Sequence, residues 1–357
     1  MKLSAQSAGD TLLTVVVLES RWAHTYECLI DRADAITINR FEAWDTSKYL
    51  TDTNGTRLIE EIVRRVRTCW TKNANQPSGV VLTMPGTLEG AETITSSSRL
   101  GIREPIPVAK IVSEQVGVPC RVFHDVECLA VGEDLSTSPS EHSPTSKDSA
   151  FVYVFADEGV GSKAILNGKV YVGAGAAGLL GRMTVQPDGS YYKALAARGT
   201  LEVFSGRPWV SENLVAMYVS ELHKRPASAT ADHNLGNTLF RRALHVAADQ
   251  EDWRNLDYPH IADGLKNGDP IAVKVLDVSA RYLGFAINSV ITILHPHRIA
   301  LGGAMMSELP GFADNVIEYA RQYSWALAWN RTIITVASLG RDAQVYGAVK
   351  LWSKRPK

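Results

Sequence analysis

The sequence predicts a two-lobed α/β protein, and three observations carry that expectation. The chain has 357 residues, too many for one small core and suited to two lobes, since domains typically run to about 100–200 residues. Hydrophobic residues make up 45% and charged residues 21%, the balance of a globular chain and not of a disordered or fibrous one. Finally, β-rich and helix-rich stretches alternate twice along the chain.

The first apolar run, TLLTVVVL (residues 11–18), is short and β-branched, as a buried strand is. A second strand should contain Tyr26 to Ile30. After Asn54-Gly55, residues Leu58, Ile59, Ile62, Val63, Val66, Cys69 and Trp70 recur on one helical face, with Arg64, Arg65 and Arg67 mostly outside it. GVVLTMPG reads as a strand ending in a Pro-Gly turn, Val108 to Val116 as a helix, and CRVFHD as the next strand. Residues 135–149 are rich in Ser, Pro and Thr, which predicts an exposed mobile loop. FVYVFA is then a strand, and AILNGKVYVG a hairpin turning on Asn167-Gly168. Helices should dominate from there to about residue 293, one of them opened by the N-cap Asp269 and by Pro270 at its first position. HRIALGG is a strand running into a glycine turn, and a strand and a helix close the chain.

Several function classes are excluded by composition. No uncharged apolar run reaches the ~18–20 residues of a spanning helix, and MKLSAQSAGD lacks the apolar stretch of a secretory signal, so a cytoplasmic location is expected. The net charge is −1 with Lys and Arg scattered, which argues against nucleic-acid binding through a basic patch. Cys28, Cys69, Cys120 and Cys128 show no CxxC spacing and lie beside apolar residues, so reduced core thiols are expected and disulfide or metal roles are not.

In FHDVECLAVGE (residues 123–133), Asp125 stands where an apolar run hands over to a helix. An Asp there suits a helix cap, and it equally suits a general base. Four further stretches accompany it: MPGTLEG with SSSRLGI (residues 84–102), EGVGSKAILNGKVYVGAGAAGLLGRMTV (158–185), HPHRIALGGAM, and ASLGRDAQVYGAV. In this order they resemble the ROK family of sugar kinases and sugar-responsive repressors, over nearly the whole chain. The resemblance implies the two-lobed actin-like ATPase (ribonuclease H-like) fold with a mixed sheet in each lobe. It implies a smaller lobe at 11–123 joined by a C-terminal helix at 343–357, and a larger lobe at 124–342. In active members sugar and ATP meet between the lobes, and Asp125 matches the general base that takes a proton from the sugar hydroxyl attacking the γ-phosphate.

The chain departs from the family pattern at several points. The family's Asp-x-Gly-Gly-Thr phosphate loop is matched by Glu19-Ser20-Arg21-Trp22-Ala23, which has neither glycine nor threonine. Its backbone can no longer approach phosphate closely. Gly159 and Gly161 match the second phosphate loop, but Asp157 and Glu158 replace its first Gly-Thr pair and would repel phosphate. Gly302 and Gly303 resemble the adenosine-side turn. These four glycines are the cofactor-binding candidates, each with a purely structural alternative. The family's zinc ligands fall on Arg182, Lys193, Leu195 and Thr200, none of which offers thiolate or imidazole, so no zinc is expected. Its usual sugar contacts fall on Arg99, His124, Leu179 and Arg182, and only Asp125 is retained.

Two functions from different classes follow. The first is a sugar-binding sensor or regulatory protein without efficient kinase activity and without a cofactor. Its ligand-binding candidates are Arg99, His124, Asp125 and Arg182, whose basic character favours an anionic sugar derivative. The second is an ATP-dependent sugar kinase with Asp125 as catalytic base, which would bring Mg-ATP. About ten residues precede the first strand, so direct DNA binding through a leading helix-turn-helix is not expected. Self-association is expected from the resemblance. SWALAW (residues 324–329) could serve an interface or the core, and the core reading is preferred.

Overall fold

The structure is a computed structural model. It describes residues 10–19, 21–50, 54–73, 77–136, 149–189, 191–192, 197–224, 238–248 and 256–354. The chain forms two compact units, one of Met1–Ser143, Val170–Ala177 and Ser338–Lys357, the other of Pro144–Lys169 and Gly178–Ala337.

The first unit is built on strands β1 (Thr11–Leu18), β2 (Trp22–Ile30), β3 (Ile36–Asp45), β4 (Gly79–Met84) and β7 (Cys120–His124), in the order β3-β2-β1-β4-β7. A short hairpin of β5 (Thr87–Glu89) and β6 (Thr93–Ser96) lies beyond β4. β1, β2 and β3 pair antiparallel, whereas β4 and β7 add in parallel. Parallel addition needs crossover connections. These contain α1 (Thr56–Asn73) between β3 and β4 and α2 (Val108–Val116) before β7. The helical face read from the sequence of α1 is the buried one, and at its edge the Trp70 indole N–H donates to Thr14 Oγ1 at 2.9 Å. α3 (Asp125–Ser136) and the final helix, α12 (Asp342–Lys354), complete the unit.

The second unit repeats the plan. Its sheet is β10 (Lys169–Val170), β9 (Val160–Leu166), β8 (Ala150–Ala156), β13 (Arg298–Gly302) and β14 (Ile333–Val336), in that order. β8 and β9 are antiparallel, and β13 and β14 add in parallel. The two sheets thus share the rank order 3-2-1-4-5. The hairpin turns at Asn167-Gly168, both with positive φ, as the dipeptide predicted. A small pair, β11 (Tyr191–Tyr192) and β12 (Ala197–Arg198), precedes the helices α4 (Leu201–Ser205), α5 (Arg207–Lys224), α6 (Thr238–Ala248), α7 (Tyr258–Lys266) and α8 (Pro270–Leu294). Asp269 caps α8 by accepting the Ile271 and Ala272 N–H groups at 2.9 and 3.0 Å. α9 (Ala304–Glu308), α10 (Phe312–Tyr323) and α11 (Ala326–Trp329) lie between β13 and β14.

The sequence reading placed residues 124–342 in the larger lobe, whereas α3, residues 170–177 and residues 338–342 fall in the first unit. For α3 the reason is helix packing. A side-chain carbon at Gly132 would overlap the Ala343 backbone of α12, and one at Gly347 would overlap the Cys128 backbone of α3. Each helix meets the other's backbone at a residue without a side chain, which ties α3 to α12. The Ser/Pro/Thr-rich segment read as a loop lies, over 137–148, outside the described residues. Cys28, Cys69 and Cys128 are buried free thiols and Cys120 is partly buried.

Candidate functional site

In open α/β sheets, ligands gather at the carboxyl ends of the parallel strands, where the connecting turns converge. In the first unit β1, β4 and β7 end there, and the next residues are Glu19, Pro85-Gly86 and Asp125. Asp125 is the first residue of α3 and only 7% exposed. Its Oδ1 accepts the Val126 N–H at 2.8 Å and lies 3.1 Å from His124 Nδ1, while Oδ2 lies 3.5 Å from an Arg99 guanidinium nitrogen. Asp125 is therefore partly a helix-end acceptor and also the centre of a three-residue polar cluster.

His124 has two competing uses for one nitrogen. Val126 N–H also points to His124 Nδ1 at 3.2 Å. In the tautomer with its proton on Nε2, Nδ1 accepts that bond, whereas an Nδ1–H would donate to Asp125 instead. Arg99 comes from the turn after β6. Ser97 and Ile102 exchange two backbone hydrogen bonds of 2.9 Å, and Ser97 Oγ accepts the Leu100 N–H at 3.2 Å. Leu100 and Ile102 are buried, so the backbone of this turn is held, while Ser98 is exposed and Arg99 half-buried.

At the end of β1, Glu19 donates its N–H to the Trp22 carbonyl at 2.8 Å, closing a hairpin onto β2. Its carboxylate pairs with Arg341 at 2.8 Å and lies 3.8 Å from His24 Nε2. His24 is buried, and its Nδ1 takes a 2.7 Å contact with the Arg40 guanidinium. Nearby, burial pushes the Tyr26 hydroxyl up against the opposing pull of Arg40 and Arg341. The Trp22 indole is 44% exposed. The Glu19 N–H is thus bound within its own turn.

The matching edge of the second unit follows the same pattern. Asp157 leaves β8 and donates its N–H to the Gly159 carbonyl at 3.0 Å. Its carboxylate accepts the Tyr258 hydroxyl, and Glu158 pairs with Arg207. Arg207 lies 5.5 Å over the Tyr258 ring and donates its backbone N–H to the Asp157 carbonyl at 2.8 Å. Burial, and then Asp157, push the Tyr258 hydroxyl far up, so it stays protonated and remains a donor. Both carboxylates are therefore paired and not bare, and an N–H, a guanidinium and a phenol at this turn each hold a group of the chain itself.

The four glycine candidates also have local explanations. Gly159 sits at the turn and Gly161 is an ordinary strand position opposite Phe155. A side chain at Gly302 would strike the Tyr153 hydroxyl, and one at Gly303, where φ is +95°, would strike the Ala156 backbone. Arg182 ends a 3-10 turn (Leu180–Arg182) in the second unit and is exposed, as is Leu179. Of the proposed ligand residues, then, Arg99 and His124 meet Asp125 within one unit, and Arg182 belongs to the other. Among the zinc-ligand positions, Lys193 and Leu195 lie outside the described residues, and Thr200 is a buried residue preceding α4. Arg182 and Thr200 offer no donor that zinc favours. Among the described residues, no cluster of His, Cys, Asp and Glu is arranged to hold a metal. Their helices include none long and apolar enough to cross a membrane.

Arg207, Tyr258 and Arg341 were missed by sequence reasoning. No local motif marks them, since each acts on a turn distant in the chain, and a lone arginine or tyrosine on a helix carries no periodic signal. SWALAW is also corrected: Trp325 is 71% and Leu327 47% exposed, and only Trp329 and Ala328 pack on the core. α11 is a single short turn and cannot bury both faces.

Residues 32–205 and 231–355, most of the chain, match the model of the ROK family, and the chain belongs to that family. It is 26% identical over 282 residues to a glucokinase of Halalkalibacterium halodurans, covering 77% of this chain and 76% of that protein. It is likewise 26% identical over 254 residues to a transcriptional regulator of Mycobacterium bovis, covering 71% of this chain and 49% of the regulator, so it spans about half that relative's length. Among solved structures, a ROK family glucokinase from Streptomyces griseus in complex with glucose and AMPPNP aligns with a TM-score of 0.69 at 18% identity, over 95% of this chain and 98% of that one. That likeness establishes the two-sheet actin-like ATPase fold.

Proposed function

We propose that this ROK-family chain binds a sugar or sugar derivative through Asp125, His124 and Arg99, and that it acts as a sensor or regulatory protein without efficient kinase activity. One observation carries the reading. At the first position matching a family phosphate loop, Glu19 keeps the carboxylate but the run has neither glycine nor threonine, and at the second, Asp157 and Glu158 replace a Gly-Thr pair. The N–H groups of Glu19 and Asp157 and the carboxylates of all three are bound within the chain. Phosphoryl transfer depends on donors organised around the transferred group, and Mg-ATP does not fit donors already committed. Asp125 keeps its lone pairs directed at polar partners, and in this reading it orients a ligand hydroxyl.

The relatives include both a kinase and a regulator, which leaves an active ATP-dependent sugar kinase as the second reading. Asp125 at the start of α3 favours it, as a carboxylate positioned to take a hydroxyl proton. We place the protein in the cytoplasm, with no direct nucleic-acid or membrane contact, and as a self-associating chain. A thermal-shift screen of sugars, sugar acids, sugar phosphates and Mg-nucleotides tests the choice, because a specific ligand raises the melting temperature by mass action. The sensor reading expects a shift with a sugar class and none with Mg-ATP. ATP-dependent phosphorylation of a sugar, lost in Asp125→Asn, would establish the kinase instead.

A further inference from the structure

We infer that residues 182–201, the stretch on which the family's zinc-ligand positions fall, are closed in this chain by their own backbone and by the Arg198 guanidinium, and keep their form without a metal ion. The stretch contains no cysteine and no histidine, and its one carboxylate is Asp188, which is exposed. Structural zinc needs thiolate, imidazole or carboxylate donors, about four of them around one ion. Of the matching positions among the described residues, Arg182 is exposed and Thr200 fully buried, so the two lie in unlike surroundings.

Closure comes instead from a ladder between the two ends of the stretch. Leu201 donates its N–H to the Met183 carbonyl at 2.8 Å, and Thr184 and Thr200 form an antiparallel bridge. The Gly199 carbonyl then accepts the N–H groups of both Val185 and Gln186, at 2.9 and 3.1 Å. Further in, β11 meets β12 through the pairs Tyr191–Arg198 and Tyr192–Ala197. Between these rungs the chain folds back: Gly189 donates its N–H to the Gln186 carbonyl at 2.9 Å, and the Arg198 guanidinium donates to the Gly189 carbonyl at 2.9 Å. Arg198 thus joins the outgoing turn to the returning strand, with a charged donor whose bond is stronger than that of a neutral one. Two glycines permit so close an approach. A side chain at Gly199, where φ is +54°, would overlap the Gln186 carbonyl, and one at Gly189 would press on the Gly199 backbone. Backbone groups that a metal site would leave to be organised by the ion are here already partnered with one another.

Metal analysis, melting and hydrogen exchange of the full chain test this. Purified wild type should carry no stoichiometric zinc, and EDTA should shift its melting temperature by less than about 1 °C, because a ligand that is not bound adds nothing by mass action. One zinc held per chain, or a melting temperature that EDTA lowers and added zinc restores, overturns metal-free closure. Both measurements use wild type alone, so they decide the matter whatever a variant does. In Arg198→Met, hydrogen exchange over residues 185–189 should quicken roughly tenfold, the scale of one lost hydrogen bond from a charged group, while the amides of α8 keep their wild-type rates. Arg198→Lys, which keeps a charged donor without the planar geometry, should fall between wild type and Arg198→Met. Unchanged exchange over residues 185–189 in Arg198→Met overturns the role given to Arg198. An equal rise in α8 overturns it as well, because the loss would then be global and not local to the ladder.

Discussion

The Glu133 carboxylate accepts the backbone N–H of Ser338 at 2.9 Å and its hydroxyl at 3.2 Å, across 205 residues of sequence. It also takes the Leu339 N–H at 3.3 Å. Glu133 lies about two turns along the helix that Asp125 opens, and Ser338 lies just ahead of Arg341, the partner of Glu19. One buried carboxylate thus anchors the segment leading into α12 to the helix that carries Asp125. Replacing it should strip acceptors from two backbone donors, and Glu133→Ala should lower stability by about 1–3 kcal/mol. Glu133→Gln, which keeps one carbonyl oxygen, should lose less. Urea unfolding of the three proteins measures the order, and an unchanged midpoint in Glu133→Ala would show that the contact contributes nothing.

Acid stability should depend on Glu61. Burial pushes its carboxyl up, but hydrogen bonds from Arg64, Arg65 and Tyr49 outweigh burial and bring it down to about 2. A folded value below the unfolded one of about 4.3 gives a contribution that is complete above that value. It is lost as pH falls toward about 2. Wild type should therefore destabilise between those limits more steeply than Glu61→Gln. Parallel thermal melts across that range check it, and identical slopes would sink the prediction.

Mg-ATP should bind weakly or not at all. Asp157→Gly combined with Glu158→Thr removes the groups that hold Tyr258 and Arg207 and restores the family's Gly-Thr pair, so it should improve nucleotide binding if those contacts are the obstacle. A micromolar wild-type affinity by calorimetry would contradict the first statement, and no gain in the double variant the second.

Self-association should involve an apolar surface of the second unit. Phe285 and Tyr323 pack edge to face at 6.0 Å, and both are exposed, as is Trp325 just beyond α10. Exposed aromatics of this kind mark protein interfaces. Light scattering should report a species larger than the monomer, and Trp325→Ser should shift it toward monomer without changing the far-ultraviolet spectrum. A wild-type monomer at high micromolar concentration would count against the proposal.

Much of the fold was legible in the residues because it is written in local physics. TLLTVVVL is β-branched and is β1; Asn167-Gly168 accepts positive φ and turns a hairpin; Asp269-Pro270 caps α8. The ROK landmarks located Asp125 at a helix start. Strand β3 and the β5–β6 hairpin were not read, since their alternation is weak and half their surface stays solvated. The sequence alone also left the role of Asp125 open between helix cap and general base, and the structure places it at a helix start beside His124 and Arg99.

By itself the sequence determined most of the element order and the family, because each is a property of neighbouring residues or of their identity. Only the tertiary structure decided that Glu158 meets Arg207, that Asp157 meets Tyr258, that Glu19 meets Arg341, and that α3 stands with α12. Hydrogen bonds and ion pairs reach only about 3–4 Å, and nothing in a linear chain says which distant side chains will come that close. The packing of the sheets and helices brings them together, and that packing turns acidic substitutions that looked like bare charges into paired ones.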